Sequence, residues 1–226
     1  MAKKSFTLFW VALERPKEAK ERAKWVLRPV RKYFPKAKKV LELGVGLGQV
    51  LKYFKKFDKY GLDVEKEYIN ICKKKIPSGK FFKSSMHNFK IKERFDVIFS
   101  VYDSINFLKD FEKWKKTFEN VNKHLVDEGL FVFDMYTQKI LKDFKGKKAT
   151  VSKFSLGELH DKPIIKDNNL IWDIKIFEKS KKYHYRFAES IFPVVRVKSA
   201  LSKHFKILET KLMENKRRIL FVCKKK

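Results

Sequence analysis

Ala19, Ala23, Val26 and Val30 recur three and four residues apart, which places them on one stripe and predicts a helix over Pro16–Tyr33. Pro29 is expected to kink or end that helix and Pro35 to stop it. From Lys39 the period changes. Apolar runs of strand length occupy Lys39–Leu43, Lys59–Asp63, Lys80–Lys83, Phe95–Val101 and Gly129–Asp134, and segments of helical period lie between them at Gln49–Phe57, Lys66–Lys75 and Lys109–His124. Strands joined by connections of helical length imply a parallel sheet, because only parallel neighbours need a long crossover.

Past Tyr136 the helical period is lost. From about Thr150 to Pro193, runs rich in Phe, Ile and Tyr alternate with charge at Val151–Leu156, Leu170–Glu178 and Lys182–Phe192, with Asp167-Asn168-Asn169 as turn chemistry. These read as an antiparallel insertion beside the main sheet. A helix, Val195–Phe205, and two strands, Lys206–Met213 and Arg217–Cys223, joined through Glu214-Asn215-Lys216, complete the chain. The fold class is therefore α/β. Residues 1–149 and 194–226 form the main domain, and 150–193 form a small insertion expected to cover the substrate side.

The chemistry starts where the first strand runs through an acid into glycines, Val40-Leu41-Glu42-Leu43-Gly44-Val45-Gly46-Leu47-Gly48. Glycines leaving a strand permit positive φ and close approach of backbone to a ligand. A dinucleotide fingerprint requires Gly-x-Gly-x-x-Gly, and here the third glycine falls one position early, with Gln49 where glycine would stand. Asp63 ends the second strand 19 residues after Gly44, the position from which a carboxylate accepts hydrogen bonds from ribose hydroxyls; a solvated strand-end acid is the alternative. The polar cluster Tyr102–Asn106 follows the fourth strand at its carboxyl end, where open parallel sheets bind ligands.

The pattern Glu-x-Gly-x-Gly-x-Gly resembles motif I of the class I S-adenosylmethionine-dependent methyltransferases, and Phe95–Leu108 resembles their motif IV region. The resemblance implies a Rossmann-like, seven-stranded, mostly parallel sheet closed by an antiparallel C-terminal hairpin, with S-adenosyl-L-methionine as cofactor. It places Glu42 near the methionine end, where either the cofactor's ammonium group or a structural Lys satisfies its carboxylate, and it places Gly44, Val45, Gly46 and Gly48 along the methionine and ribose portions. Val64, Ser100 and Val101 complete the expected contacts. Aligning Phe82–Phe89 with motif III puts Ser85 where many relatives carry the Asp that accepts from the adenine amino group; serine also accepts a hydrogen bond. Met86 then lies on the adenine or simply fills a gap.

The reaction implied is in-line displacement at the sulfonium methyl, which rests on positioning and desolvation. Asp103 and Tyr102 are the catalytic candidates, with His87 also near, to orient an acceptor or take its proton; an N-cap role for Asp103 or Ser104 is the alternative. Tyr136 and the pair Phe9-Trp10 are candidates for the substrate wall. Asp103–Leu108 looks like the corresponding segment of methyltransferases acting on small molecules, amino-sugar and glycine N-methyltransferases included.

Charge adds a second reading. Of the 226 residues, 55 are Lys or Arg against 26 Asp or Glu, a formal net charge of +29, and residues 1–39 alone carry nine Lys and four Arg against three Glu. A spread of this kind either reflects a general lysine bias or gives salt-dependent attraction to RNA, which makes RNA methylation the runner-up and a silent cofactor- or RNA-binding module the third reading. No Asn/Asp-Pro-Pro-Tyr/Phe/Trp run follows the fourth strand, and no cysteine stands at the end of strand four or five, which disfavours adenine-amine and pyrimidine-ring methylation. Cys72 and Cys223 are isolated, so neither a disulfide framework nor a zinc site is expected, and no apolar run is long enough for a bilayer span. A small-molecule partner, a cytoplasmic address and no membrane association are the expectations; the oligomeric state is open.

Overall fold

The computed structural model describes residues 16–154 and 157–226. Helix α1 (Pro16–Tyr33) leads into strand β1 (Lys39–Leu43), followed by β2 (Asp58–Asp63), α2 (Lys66–Lys75), β3 (Lys80–Lys83), β4 (Phe95–Ser100), α3 (Phe111–His124), β5 (Leu125–Tyr136) and a short helix α4 (Lys139–Phe144). Strands β6 (Thr150–Phe154), β7 (Gly157–Lys166), β8 (Asn169–Glu178) and β9 (Lys181–Ser190) come next, then α5 (Val194–Leu201), β10 (Phe205–Met213) and β11 (Arg218–Lys225).

The main sheet has seven strands in the order β10-β11-β5-β4-β1-β2-β3, parallel except where β11 pairs with β5 and β10. The strand order reverses between β1 and β4, which opens a crevice at the carboxyl ends of β1, β2 and β4. Side chains alternate between two cores. Leu41, Leu43, Ile98, Phe131, Phe133 and Phe221 face α3 and α5 on one side, and Val40, Val97, Phe99, Leu130, Val132 and Leu220 face α1 and α2 on the other. Glu42 and Asp134 share the parity of the second set, so the sheet itself aims two carboxylates into the α1 side.

Two expectations are corrected and one alternative is decided. No α-helix spans Gln49–Phe57; only a 3₁₀ turn forms, at Leu51–Tyr53. Nine residues must carry the chain back along a five-residue strand, about 17 Å, whereas nine α-helical residues rise only about 14 Å, so a more stretched path wins, anchored by Phe54 stacked on Phe99 at 4.8 Å. Helix α1 keeps its expected bounds, Pro16–Tyr33, and of the two outcomes expected of Pro29 it does not end the helix. It falls in the last turns, where one missing N–H costs a single bond, and its ring is buried. The insertion has four strands rather than three, in the order β6-β7-β8-β9. The additional one, β7, contains Pro163, which is tolerated because β6 pairs only with residues 157–161 and leaves β7 an edge there.

Two junctions fix the inserted sheet near the carboxyl ends of the main strands. Asn106 donates from Nδ2 to the Ser190 carbonyl (2.8 Å) and accepts at Oδ1 from the Tyr136 N–H (3.1 Å), tying the turn after β4 to β9 and β5. Phe107 stacks on Phe187, with ring centroids 5.3 Å apart.

Trp114 is fully buried between Phe118 and Phe192, and its indole N–H donates to the Leu108 carbonyl at 3.0 Å. Trp114→Ala is expected to cost about 3–5 kcal/mol, read as a lowered urea midpoint in equilibrium unfolding; a loss under about 1 kcal/mol would contradict this packing.

Candidate active site

The glycine turn is built by β2 as much as by its own glycines. Gly44 and Val45 both donate to the Leu62 carbonyl at 2.9 Å, and Gly46 donates to Asp63 Oδ2, also at 2.9 Å. Gly44, Gly46 and Gly48 all take positive φ, at 71°, 51° and 73°. Their surroundings separate their roles. A Cβ at Gly46 would meet no atom within 4 Å, so this residue faces open space, while a Cβ at Gly44 would lie 2.9 Å from the Ser104 Cβ. At Gly48 it would meet Ile76 at 3.0 Å and Cys72 at 3.2 Å, so this glycine lets the turn pack on α2.

A cavity of about 300 Å³ opens at this turn. Of the expected cofactor positions it is lined by Glu42, Gly44, Val45, Gly46, Asp63, Val64, Ser85, Met86 and Val101, and of the expected catalytic pair by Tyr102. Three expected positions do not line it. Besides Gly48, Ser100 is buried and donates from Oγ to the Leu43 carbonyl at 3.1 Å, a strand-to-strand bond. Asp103 turns away towards Arg218, with Oδ1 2.6 Å from Nη1.

Glu42 lies at the base of the cavity with 3% of its surface exposed. Its Oε2 has no hydrogen-bond partner, and the carboxylate receives a backbone bond from Leu51. Among the described residues no Lys pairs with it. Burial, partly opposed by that bond and reinforced by Asp63, pushes its carboxyl well above the usual carboxylate range. Asp63 is also pushed up, by burial first, although it accepts from Gly46 and, through Oδ1, from the Glu65 N–H at 3.1 Å.

Across the cavity, Ser85 Oγ and His87 Nδ1 are 2.7 Å apart, which leaves the serine a bridge between the imidazole and the cavity. Burial and then Lys113 and Lys116 hold His87 below its usual range, favouring the neutral ring. Met86 is buried, shared between the cavity and the core.

The pattern of the sequence missed Gln49, whose buried Nε2 has no partner and whose side chain lines the cavity. Its place just past the third glycine was the available signal. Tyr68 also lines the cavity and carried no motif, whereas Phe107 and Leu108, which line it too, end the run that resembles motif IV.

Next to the cavity stands a buried ionic cluster that no motif announced. Arg218 pairs with Asp103, Asp134 and Glu214, and Arg22 pairs with Glu214 at 2.6 Å and with Glu18 at 3.0 Å. The Arg22 guanidinium lies 3.8 Å from the Trp25 ring centroid and 5.0 Å from that of Tyr102. Tyr102 and Asp103 take φ of 58° and 50°, two consecutive left-handed non-glycine residues of the kind that cluster at functional sites. Asp103 makes no side-chain cap, and Ser104 donates to the Val101 carbonyl at 2.7 Å, so neither caps a helix in the expected way; Asp110 caps α3 by accepting from Glu112. Tyr102 is a poor proton acceptor, since burial pushes its hydroxyl far up. Tyr136 packs on the Arg218 guanidinium at 4.4 Å, and Phe9 and Trp10 lie outside the described residues.

Because the Glu42 carboxyl is raised by burial, the folded state holds a proton that the unfolded chain releases above its ordinary pKa, and the stability cost of this residue grows as pH rises. Glu42→Gln is therefore expected to raise the melting temperature of the ligand-free protein at pH 8 and to change it little at pH 4.5; an equal or larger gain at pH 4.5 would contradict the assignment.

Residues 40–129 match the model of the methyltransferase domain family. The chain is 26% identical over 131 residues to dTDP-3-amino-3,4,6-trideoxy-alpha-D-glucopyranose N,N-dimethyltransferase of Streptomyces venezuelae, a match over 57% of this chain and 54% of that protein. The chain thus spans about half the length of the relative it matches. Among solved structures, an S-adenosylmethionine-dependent methyltransferase from Clostridium acetobutylicum superposes with a TM-score of 0.81 at 19% identity, covering 89% of both chains. The sugar N-methyltransferase KedS8 from Streptoalloteichus superposes with a TM-score of 0.80 at 19% identity, covering 99% of this chain and 93% of that one.

Proposed function

We propose that this chain, which carries a methyltransferase domain at residues 40–129 on the fold of S-adenosylmethionine-dependent methyltransferases, transfers the methyl group of S-adenosyl-L-methionine to a small or medium-sized nucleophile. The observation that carries the reading is the buried Glu42 carboxylate, with one oxygen facing no donor, beneath a glycine turn that leaves open space at Gly46. A buried carboxylate without a cationic partner is costly unless a ligand supplies one. The ammonium of the methionine portion is such a cation, so the residues present fit the cofactor.

The roles of the chain's residues follow from this placement. Glu42 takes the ammonium, and Gln49 offers its unpartnered amide N–H beside it. The turn at 44–46 lets backbone approach closely. Asp63, with both oxygens already holding backbone N–H groups, retains lone pairs for ribose hydroxyls. Ser85 and Met86 stand on the adenine side. Tyr102, Phe107 and Leu108 wall the cavity toward the inserted sheet and exclude water from the reacting end, where desolvation strengthens every electrostatic contact. When bound, the cofactor supplies an electrophilic methyl group on a sulfonium, so no covalent residue of the chain is required.

A small-molecule acceptor is supported by the relatives named for action on amino sugars and by the inserted sheet, residues 150–193, which we assign as the cover of the acceptor side. No described helix is long and apolar enough to cross a membrane. RNA as acceptor rests on the +29 charge alone.

The test is ligand-dependent melting with S-adenosylmethionine, followed by transfer of a labelled methyl group over metabolite and RNA pools. Wild type is expected to gain several degrees and to label the low-mass pool. Gly46→Arg, which fills the open space at the turn, should abolish both; a protein that gains nothing from the cofactor would end the proposal, and label found only in RNA would move it to the runner-up.

A further inference from the structure

The cluster beside the cavity has too few cations. Asp103 and Asp134 share the buried guanidinium of Arg218, and Glu189 on β9 is buried at 3% exposure beside them. Glu189 Oε2 and Asp134 Oδ1 have no hydrogen-bond partner. Arg22 pairs through Nη2 with Glu18 and Glu214, and its charge favours the ionised Asp103 without a direct ion pair to it. Three buried carboxyls around one cation must either keep protons or receive a positive group.

The position of Glu189 is determined by the fold. Ser190, its neighbour, is held by Asn106 Nδ2 at its carbonyl, and its Oγ lies 2.7 Å from Asn169 Oδ1 and 3.2 Å from the Lys109 carbonyl. Phe187, two residues earlier and therefore on the same face of β9, stacks on Phe107, which walls the cofactor cavity. Asp103 directly follows Tyr102, which lines that cavity too, and both are held in left-handed conformation. Glu189 and Asp103 thus approach from two different sheets just behind the wall shared with the reacting end of the cavity.

We infer that Glu189 and Asp103 form the proton-accepting pair that receives the positively charged amine of the methyl acceptor, a reading that rests on the proposed methyl transfer. The titratable and charged groups facing Glu189 are Asp103 on the β4 turn, Arg218 on β11 and Tyr136 on β5; Asp134 and Arg22 act on Asp103, and Glu214 on Tyr136. Burial first, then Asp103, raise the Glu189 carboxyl, with Arg218 and a bond from Trp172 opposing. Burial also raises Asp103, against the pull of Arg218. A carboxyl raised above its ordinary range is better matched to taking a proton from an ammonium than an ordinary one.

The step balances. The acceptor ammonium passes one proton to the Glu189 carboxylate. The freed nitrogen lone pair forms the bond to the methyl carbon as the carbon–sulfur bond breaks, and its electron pair stays on sulfur as a neutral thioether. The product leaves as a methylammonium species, and Glu189 returns its proton to solvent.

The test uses the cofactor-loaded protein and methylammonium chloride as the probe, with potassium chloride at equal concentration as control. Infrared difference spectra at pH 7 should show a protonated-carboxyl band that methylammonium removes and potassium does not, and that is absent in Glu189→Gln. No band, or one indifferent to methylammonium, overturns the inference; if Glu189→Gln does not fold, the wild-type response decides alone. In turnover, Glu189→Gln should lose about 10²-fold or more in kcat at pH 7, and recover part of it at high pH, where acceptor amines are already neutral. Affinity for S-adenosylmethionine should be unchanged. Labelled products that are methyl ethers or esters overturn this inference while leaving methyl transfer standing, whereas absence of cofactor binding defeats the proposed function itself.

Discussion

Three backbone N–H groups, those of Gly44, Val45 and Gly46, are held by the last two residues of β2, through the Leu62 carbonyl and the Asp63 carboxylate. Everything at the site depends on that clamp. It turns the chain back immediately after β1, leaves Glu42 beneath the turn, and brings Asp63 to the cavity rim. Because β1 neighbours β4 where the strand order reverses, the clamp also fixes the turn beside the end of β4, where Tyr102 and Ser104 close the opposite wall.

Around this turn the fold tolerates buried acid in an otherwise basic chain. Glu42, Asp63, Asp103 and Glu189 are all raised by burial, which makes each of them a cost to the empty protein at neutral pH. The surface offers Lys in quantity, with Glu21, Glu93, Glu119 and Glu209 each paired to one. None of those lysines pairs with these four acids, of which Glu42, Asp103 and Glu189 are buried and Asp63 is half-buried. Arg218 partly serves Asp103, and in the proposed reading ligands supply the cations at Glu42 and Glu189. Stability withheld at these positions is the kind of trade that functional sites display.

The strand pattern made most of the main sheet legible, because residues such as Val97, Ile98 and Phe99 are apolar on both faces and Pro77-Ser78-Gly79 separates α2 from β3. The glycines and Asp63 were legible for the same reason, a local geometry written in local residues. Elements set by distance were not. The span 49–57 has a helical pattern but too little length to be a helix, and β7 hides behind His160-Asp161-Lys162-Pro163, which break the alternation of its strand. The ionic cluster was invisible in principle, since Asp103, Asp134, Glu189 and Arg218 come from four strands or turns with no shared spacing. Only the pairing of β11 with β5 and the docking of β9 on the β4 turn bring them together.

The Glu42 site and the cofactor are joined by one prediction about protons. If the ammonium of the ligand restores the charge of a carboxyl held protonated by burial, binding must release protons near neutral pH. Calorimetric titration of the protein with S-adenosylhomocysteine, the demethylated cofactor, in buffers of differing ionisation enthalpy measures both the binding and the release. The account requires one site per chain with net proton release that is lost in Glu42→Gln; a titration with no saturable heat, or with the same proton balance in both proteins, would contradict it.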